Sequence, residues 1–207
     1  MKVLLINGSQ HKNGCTYTAL SEFARQLNKN GIDTEILHIG TEPLQSCMGC
    51  DACHRNGGAC VYDDIVNVAI AKAEAADGLV LGSPVHCGSI TGAFTTFLVR
   101  MFHAGGLAGK FVYKPGATVI CTRRTAGTTA IDIVNRYYAL ANMINIPGQS
   151  IVHGMKPEES LQDEEGMQFM RIMADKMAWV LKNIEAGRAA GVELPEFEPK
   201  KRTNFIR

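Results

Sequence analysis

Val3-Leu4-Leu5-Ile6-Asn7-Gly8-Ser9-Gln10-His11-Lys12-Asn13-Gly14-Cys15-Thr16 opens the chain and decides its architecture. A short Val, Leu and Ile run bounded by a turn signal reads as a buried parallel strand. The run is too short for a signal peptide and passes directly into a Gly-Ser turn. Beyond the turn, Leu20, Phe23, Ala24 and Leu27 recur at i, i+3, i+4 and i+7, so a helix follows, with Gly31 as its cap. Such a strand–turn–helix junction offers backbone N–H groups and the positive end of the helix dipole to an anion. It is not a Walker loop, because no lysine stands between Gly14 and Thr16 and the glycine spacing differs, and it is not a G-x-G-x-x-G turn. The anion expected here is a terminal phosphate bound without magnesium. Its donors would be the side chains of Ser9, His11, Asn13 and Thr16 and the N–H groups of Gly14, Cys15 and Thr16.

Outward from this unit, residues 78–83, 118–122 and 150–153 repeat the pattern of a buried strand, and 34–39 alternates like a half-exposed edge strand. Helical spacing returns at Phe94, Phe97, Leu98 and Met101, and at Ile131, Val134, Tyr138 and Ala141. A last helix carries Met167, Met170, Met173, Met177, Val180 and Ile184, opening at Asp163-Glu164-Glu165 and closing at Gly187. The methionine stripe is a core face. Asp63-Asp64 cap a helix that starts at Ile65. This alternation implies an α/β fold: a doubly wound, five-stranded parallel sheet in three α/β/α layers, with right-handed crossovers. Ligands of such sheets bind beyond the carboxyl ends of the strands, so the loops after Asn7, Ser83 and Thr122 are the ones to read. One domain spans 1–187, with a cysteine-rich insertion at 45–62. Residues 188–207 form a polar tail, and its Phe205 and Ile206 suggest an arm that packs on a neighbouring copy.

The 207 residues carry 21 basic and 20 acidic side chains, a net charge of +1, which excludes an electrostatic footprint for nucleic acid or an anionic membrane. The same balance argues against a small, strongly acidic electron carrier. No apolar stretch reaches the length of a membrane span, so a cytoplasmic location is expected. Seven cysteines in a reducing compartment are expected to be mostly reduced, so the clustered ones read as ligands or redox groups rather than structural disulfides, while the scattered Cys15, Cys87 and Cys121 read as packing or loop residues.

The second loop, Gly82-Ser83-Pro84-Val85-His86-Cys87-Gly88-Ser89, has the rigidity to wall a flat heterocycle, with Pro84 stiffening the turn and Gly88 allowing close backbone approach. In the third, Arg123 and Arg124 offer cations either to a ring's developing negative charge or to an extra phosphate, and Gly127 begins a helix whose backbone would touch the ring. Cys47, Cys50, Cys53 and Cys60 follow C-x2-C-x2-C-x6-C. Three readings stay open: a 4Fe-4S cluster, free or reversibly oxidised thiols, and zinc. Gly57-Gly58 lets the chain fold back to bring Cys60 in.

The two loops together resemble those of the flavodoxin-like NAD(P)H-dependent FMN reductases, especially the branch that contains the iron–sulfur flavoproteins. The first loop is similar to that family's Gly-Ser-x-x-x-x-Gly-x-Thr phosphate motif, the second to its Gly-Ser-Pro-Val-aromatic-x-Gly flavin loop. The segment from Cys47 to Cys60 followed by Asp63-Asp64, the stretch Arg123-Arg124-Thr125-Ala126-Gly127-Thr128-Thr129, Val152-His153-Gly154 and the ending at Arg207 also resemble family segments. The resemblance covers essentially the whole chain. It implies FMN held by Ser9, His11, Asn13, Gly14, Cys15, Thr16, Pro84, Val85, His86, Cys87, Gly88, Arg123, Arg124 and Gly127, with NAD(P)H as electron donor. It also implies a homodimer or homotetramer, and a small acceptor (a quinone, a free flavin or an iron–sulfur partner) that takes NAD(P)H's place in turn. His86 and Cys87 depart from the family's aromatics, and His11 from a frequent arginine. Two other classes compete: a non-catalytic flavin/iron–sulfur electron carrier, and a cysteine-based redox sensor.

Overall fold

Strand β1 (Lys2–Asn7) is flanked on both sides, and its alternation sets the two faces of the sheet. Val3 and Leu5 point into one core with Leu20, Phe23 and Leu27 of helix α1 (Cys15–Lys29); Leu4 and Ile6 point into the other. In the computed structural model, which describes residues 1–196 together with 198, 201, 203 and 205, strand β2 (Asp33–His38) pairs with β1 as the half-exposed edge. Helix α2 (Ile65–Ala75) leads to β3 (Gly78–His86), which pairs parallel with β1 and turns back as the short β4 (Ser89–Ile90). Helix α3 (Gly92–Met101) ends in one π-type turn, Phe102–Gly106, and gives way to β5 (Pro115–Thr122) beside β3.

Helix α4 (Gly127–Leu140) precedes two fragments, β6 (Ile144–Asn145) and β7 (Ile151–His153), both parallel to β5. They occupy the single fifth position expected from residues 150–153. Pro147, which has no N–H to give a ladder, lies between them. A short helix α5 (Pro157–Gln162) and the long α6 (Glu164–Ala189) close the chain. The parallel order β2-β1-β3-β5-β6/β7 reverses direction between β1 and β3, which makes the crevice between their loops the switch point.

Helices α1 and α6 cover one face, and α2, α3 and α4 the other. Met167, Met170, Met173 and Met177 are buried against α1, as the stripe predicted. Helix α6 runs two residues past Gly187 and ends before Gly191, whose positive φ suits a glycine. Phe205 is 98% exposed, so it does not pack on its own chain, and Ile206 lies outside the described residues.

Glu22 of α1 bonds Arg171 of α6 at 2.7 Å and Arg25 at 2.6 Å. The bond from Arg25 chiefly, reinforced by Arg171 against the opposing effect of burial, lowers its pKa from 4.5 to about 2. A depressed carboxyl contributes stability that is fully present above its unfolded pKa and is lost as pH falls through the folded one. Glu22→Gln should therefore lower the urea midpoint at pH 7, with a penalty that shrinks between about pH 4.5 and pH 2. An undiminished penalty at the acid end would mean the carboxylate's charge is not what matters.

Candidate functional site

The loop from Gly8 to Gly14 is held from below by residues that carry no ligand themselves. Asn7 at the end of β1 accepts from the Ser9 N–H (3.1 Å) and donates to the Lys12 carbonyl (3.1 Å). The Ser9 hydroxyl accepts from the His11 N–H (3.1 Å), and His38 Nε2 donates to the Ser9 carbonyl (2.8 Å). Asn7 and His38 escaped the sequence reading: the first reads as the end of a strand, and the second stands 29 residues away from its partner. Gly8 is needed for a steric reason, since an added Cβ would sit 2.4 Å from the Phe94 ring. The Gly8 carbonyl accepts from the hydroxyl of Thr91, which also caps α3 by accepting from the Phe94 N–H.

At the far end of this loop α1 starts with no side-chain cap on Gly14 and no acidic residue in its first turn. Its dipole therefore meets no side-chain cap or acidic group, although the Gly14 N–H, expected among the anion's donors, is already given to the His11 carbonyl at 3.2 Å. Thr16 is 1% exposed, and its Oγ1 has no hydrogen-bond partner of normal geometry; only the poorly bonding Cys121 thiol lies near. A buried unpaired hydroxyl is unusual enough to require a reason. These groups open into a groove of about 850 Å³ at the carboxyl ends of β1, β3 and β5. Ser9, His11, Asn13, Gly14, Cys15 and Thr16 form one wall, and Pro84, Val85 and His86 face it. Cys121, Thr122 and Arg123 line it further, and Gly154, Met155, Lys156 and Pro157, before and into α5, supply a third side. The last group was only partly legible, because the loop joins β7 to a helix of six residues.

Four expected contacts lie outside this groove. Cys87 (φ 50°) and Gly88 (φ 82°) form the two-residue tip of the β3–β4 hairpin, where positive φ at both positions makes a tight turn. Gly88 takes a positive φ at this tip with open space around it, and Pro84 lies within β3, paired with Cys121, rather than in the turn. Arg124 is exposed beside Arg123 but does not line the groove. Gly127 begins α4 as expected, yet its missing side chain makes room for Ile151, whose Cδ1 would be 2.7 Å from an added Cβ.

The four cysteines converge elsewhere. Cys47, Cys50, Cys53 and Cys60 line one small pocket with Tyr62, Arg100, His103 and Ala104. Burial pushes the Cys53 thiol up, and the neighbouring Cys60 and Cys47 thiols add to this. Arg100 of α3 is 1% exposed and spends its donors on this segment. It gives two bonds to Cys60 Sγ (3.2 and 3.4 Å), two to Asp64 (2.6 and 3.1 Å) and one to the Gln45 carbonyl (3.3 Å). Burial pulls its pKa down, but the Asp64 and Cys60 acceptors outweigh this and raise it. Asp64 caps α2 as expected, through Val66 N–H, and in addition anchors the guanidinium. Four thiols around one pocket fit an iron–sulfur cluster by donor type. The pocket between them holds only about 20 Å³, with Cys53 buried and Cys47 and Cys50 exposed. Of the scattered cysteines, Cys121 is fully buried and its pKa is raised strongly by desolvation.

A doubly wound parallel sheet with an uncapped helix at its switch point defines a flavodoxin-like protein. The chain belongs to the NADPH-dependent FMN reductase family, whose model matches residues 1–156, and it is therefore an FMN-dependent oxidoreductase. It is similar to an iron–sulfur flavoprotein of Methanocaldococcus jannaschii (27% identity, covering 89% of this chain and all of that one). It is also similar to an iron–sulfur flavoprotein of Methanosarcina thermophila (25% identity, 91% and 99% covered). Among solved structures, RosB with bound 8-demethyl-8-formylriboflavin-5′-phosphate shares the fold (TM-score 0.73, 15% identity, 100% and 92% covered). So does an NAD(P)H:quinone oxidoreductase from Methanothermobacter marburgensis (TM-score 0.63, 13% identity, 84% and 94% covered). No helix among the described residues is long and apolar enough to cross a membrane.

Proposed function

We propose that the groove holds FMN with its phosphate on the loop from Ser9 to Thr16, and that NAD(P)H and a small acceptor or redox protein take turns at the open side. The observation that carries this reading is the buried, unpartnered Thr16 hydroxyl beside the uncapped start of α1. When bound, FMN supplies a ring that accepts hydride and releases electrons singly or in pairs. Everything else falls to the chain. Thr16 Oγ1, the N–H groups at the start of α1 and the dipole of that helix bind the dianion. Asn7 and His38 hold the loop in shape beforehand, so little ordering cost attends binding. Val85 and His86, on the stiff end of β3, limit one side of the slot, and Met155 and Lys156 limit another. Arg123, exposed at the groove, brings positive charge to a ring that becomes negative on reduction.

The same reading assigns Cys47, Cys50, Cys53 and Cys60 to a 4Fe-4S cluster, with Arg100 holding the Cys60 sulfur in place. It also assigns the tail around Phe205 to contact with a second copy. Titration of flavin-free protein should show tighter binding of FMN than of riboflavin. FMN at a hundred times its Kd should add about 2.7 kcal/mol of stability. Anaerobic NADPH should then bleach the flavin within the turnover time. Equal affinity for riboflavin would remove the phosphate assignment, and bleaching only by dithionite would replace the enzyme with a carrier.

A further inference from the structure

We propose that Cys53, His54 and His103 form a second metal site, for a single divalent ion of the zinc type, which competes with the four-cysteine set for Cys53. The Cys53 sulfur and one ring nitrogen from each histidine lie within 4.8 Å of one another. They come from two irregular turns that face each other: the 3-10 turn Ala52–His54 and the π-type turn Phe102–Gly106 at the end of α3. Turns of the second kind are often found at functional sites. The two imidazoles meet edge to face, with ring centroids 5.4 Å apart.

Asp51 makes the arrangement specific. Its Oδ1 is 3.5 Å from His54 Nε2 and 3.4 Å from His103 Nε2. Asp51 thus hydrogen-bonds one ring and pairs with the other while standing outside the three-donor set. Two imidazoles and a thiolate select a borderline metal over calcium or magnesium, which prefer oxygen sets. Asp51 orients the rings, and the fourth position is left to solvent. Binding releases the Cys53 thiol proton to solvent.

The site stands on these residues alone. The competition rests on the cluster reading, because one sulfur cannot complete both sets. The test uses the full chain, stripped of metal under reducing conditions and titrated with Co²⁺ alone. Cys47→Ser/Cys50→Ser, at two exposed positions, removes the competing thiols. This variant is expected to bind one Co²⁺ with a sulfur-to-cobalt charge-transfer band and four-coordinate visible bands. Adding His54→Ala or His103→Ala should weaken binding at least about tenfold, with the far-UV circular dichroism unchanged. No uptake by the double variant, or uptake indifferent to both histidines, overturns the site. In wild-type protein, zinc added first should block iron–sulfide reconstitution, and His103→Ala should relieve the block. A cluster that forms equally well with zinc present overturns the competition. A failure to form any cluster overturns the competition together with the cluster reading, while the cobalt titration still decides the site.

Discussion

Arg100→Met should destabilise the chain by about 3 kcal/mol, read as a drop in urea midpoint. The side chain is fully buried, and its five bonds tie Gln45, Cys60 and Asp64 to α3. Removing one member of a buried ion pair costs about 3–5 kcal/mol, because the partner is left uncompensated. The lower end applies here, since the Asp64 side chain keeps 27% exposure and can be partly rehydrated. Methionine fills much of the volume, so the loss reports polar pairing rather than a void. Asp64→Asn keeps an acceptor for the Val66 N–H and removes the charge. The double variant Asp64→Asn/Arg100→Met should then lose less than the sum of the singles, by at least about 1 kcal/mol. Strict additivity would show that the guanidinium acts through packing alone. With the cluster bound as proposed, Arg100→Met should also lose iron faster than wild type, because the Gln45 and Cys60 anchors of the cysteine segment would be gone.

Thr16→Val is expected to act in opposite directions on affinity and stability. The valine keeps the branched shape and removes a buried hydroxyl that lacks a partner, the one of three such hydroxyls among the described residues (with Ser150 and Ser160) that lines the groove. A hydrogen bond to a charged group is worth about 1.5–3 kcal/mol, so FMN affinity should fall about tenfold to a hundredfold. The flavin-free protein should not lose stability, because an unsatisfied buried polar atom is a cost that the substitution removes. Riboflavin, which has no phosphate, should bind both forms alike. A parallel loss for riboflavin, or a destabilised apoprotein, would place this hydroxyl in the structural frame instead of the anion site.

The sheet was legible because its central strands are buried on both faces and read as unbroken apolar runs. Residues 3–7 and 78–83 need no context to be recognised. The fifth position was half hidden, since β6 and β7 are two and three residues long and a proline separates them. The first wall of the groove was legible for a local reason: a glycine-bounded turn feeding a helix announces itself within nine residues. What escaped was non-local. His38 reaches back to Ser9 across 29 residues, and Arg100 bonds Cys60 from 40 residues away, as one polar position in an otherwise apolar helical pattern. Gly88 and Gly127 were identified as special positions, but the positive φ of the first and the packing role of the second were not legible. A glycine that permits positive φ, one that makes room for Ile151 and one that admits a ligand look identical in sequence.

Helix α3 starts with Thr91 on the Gly8 carbonyl and ends with Arg100 on Cys60. The nine-residue rise between those anchors is about 14 Å. A strut of fixed length therefore separates the loop after β1 from the cysteine segment, so in the proposed arrangement electrons passing between them would cross a gap set by helical geometry, without waiting for a hinge to close.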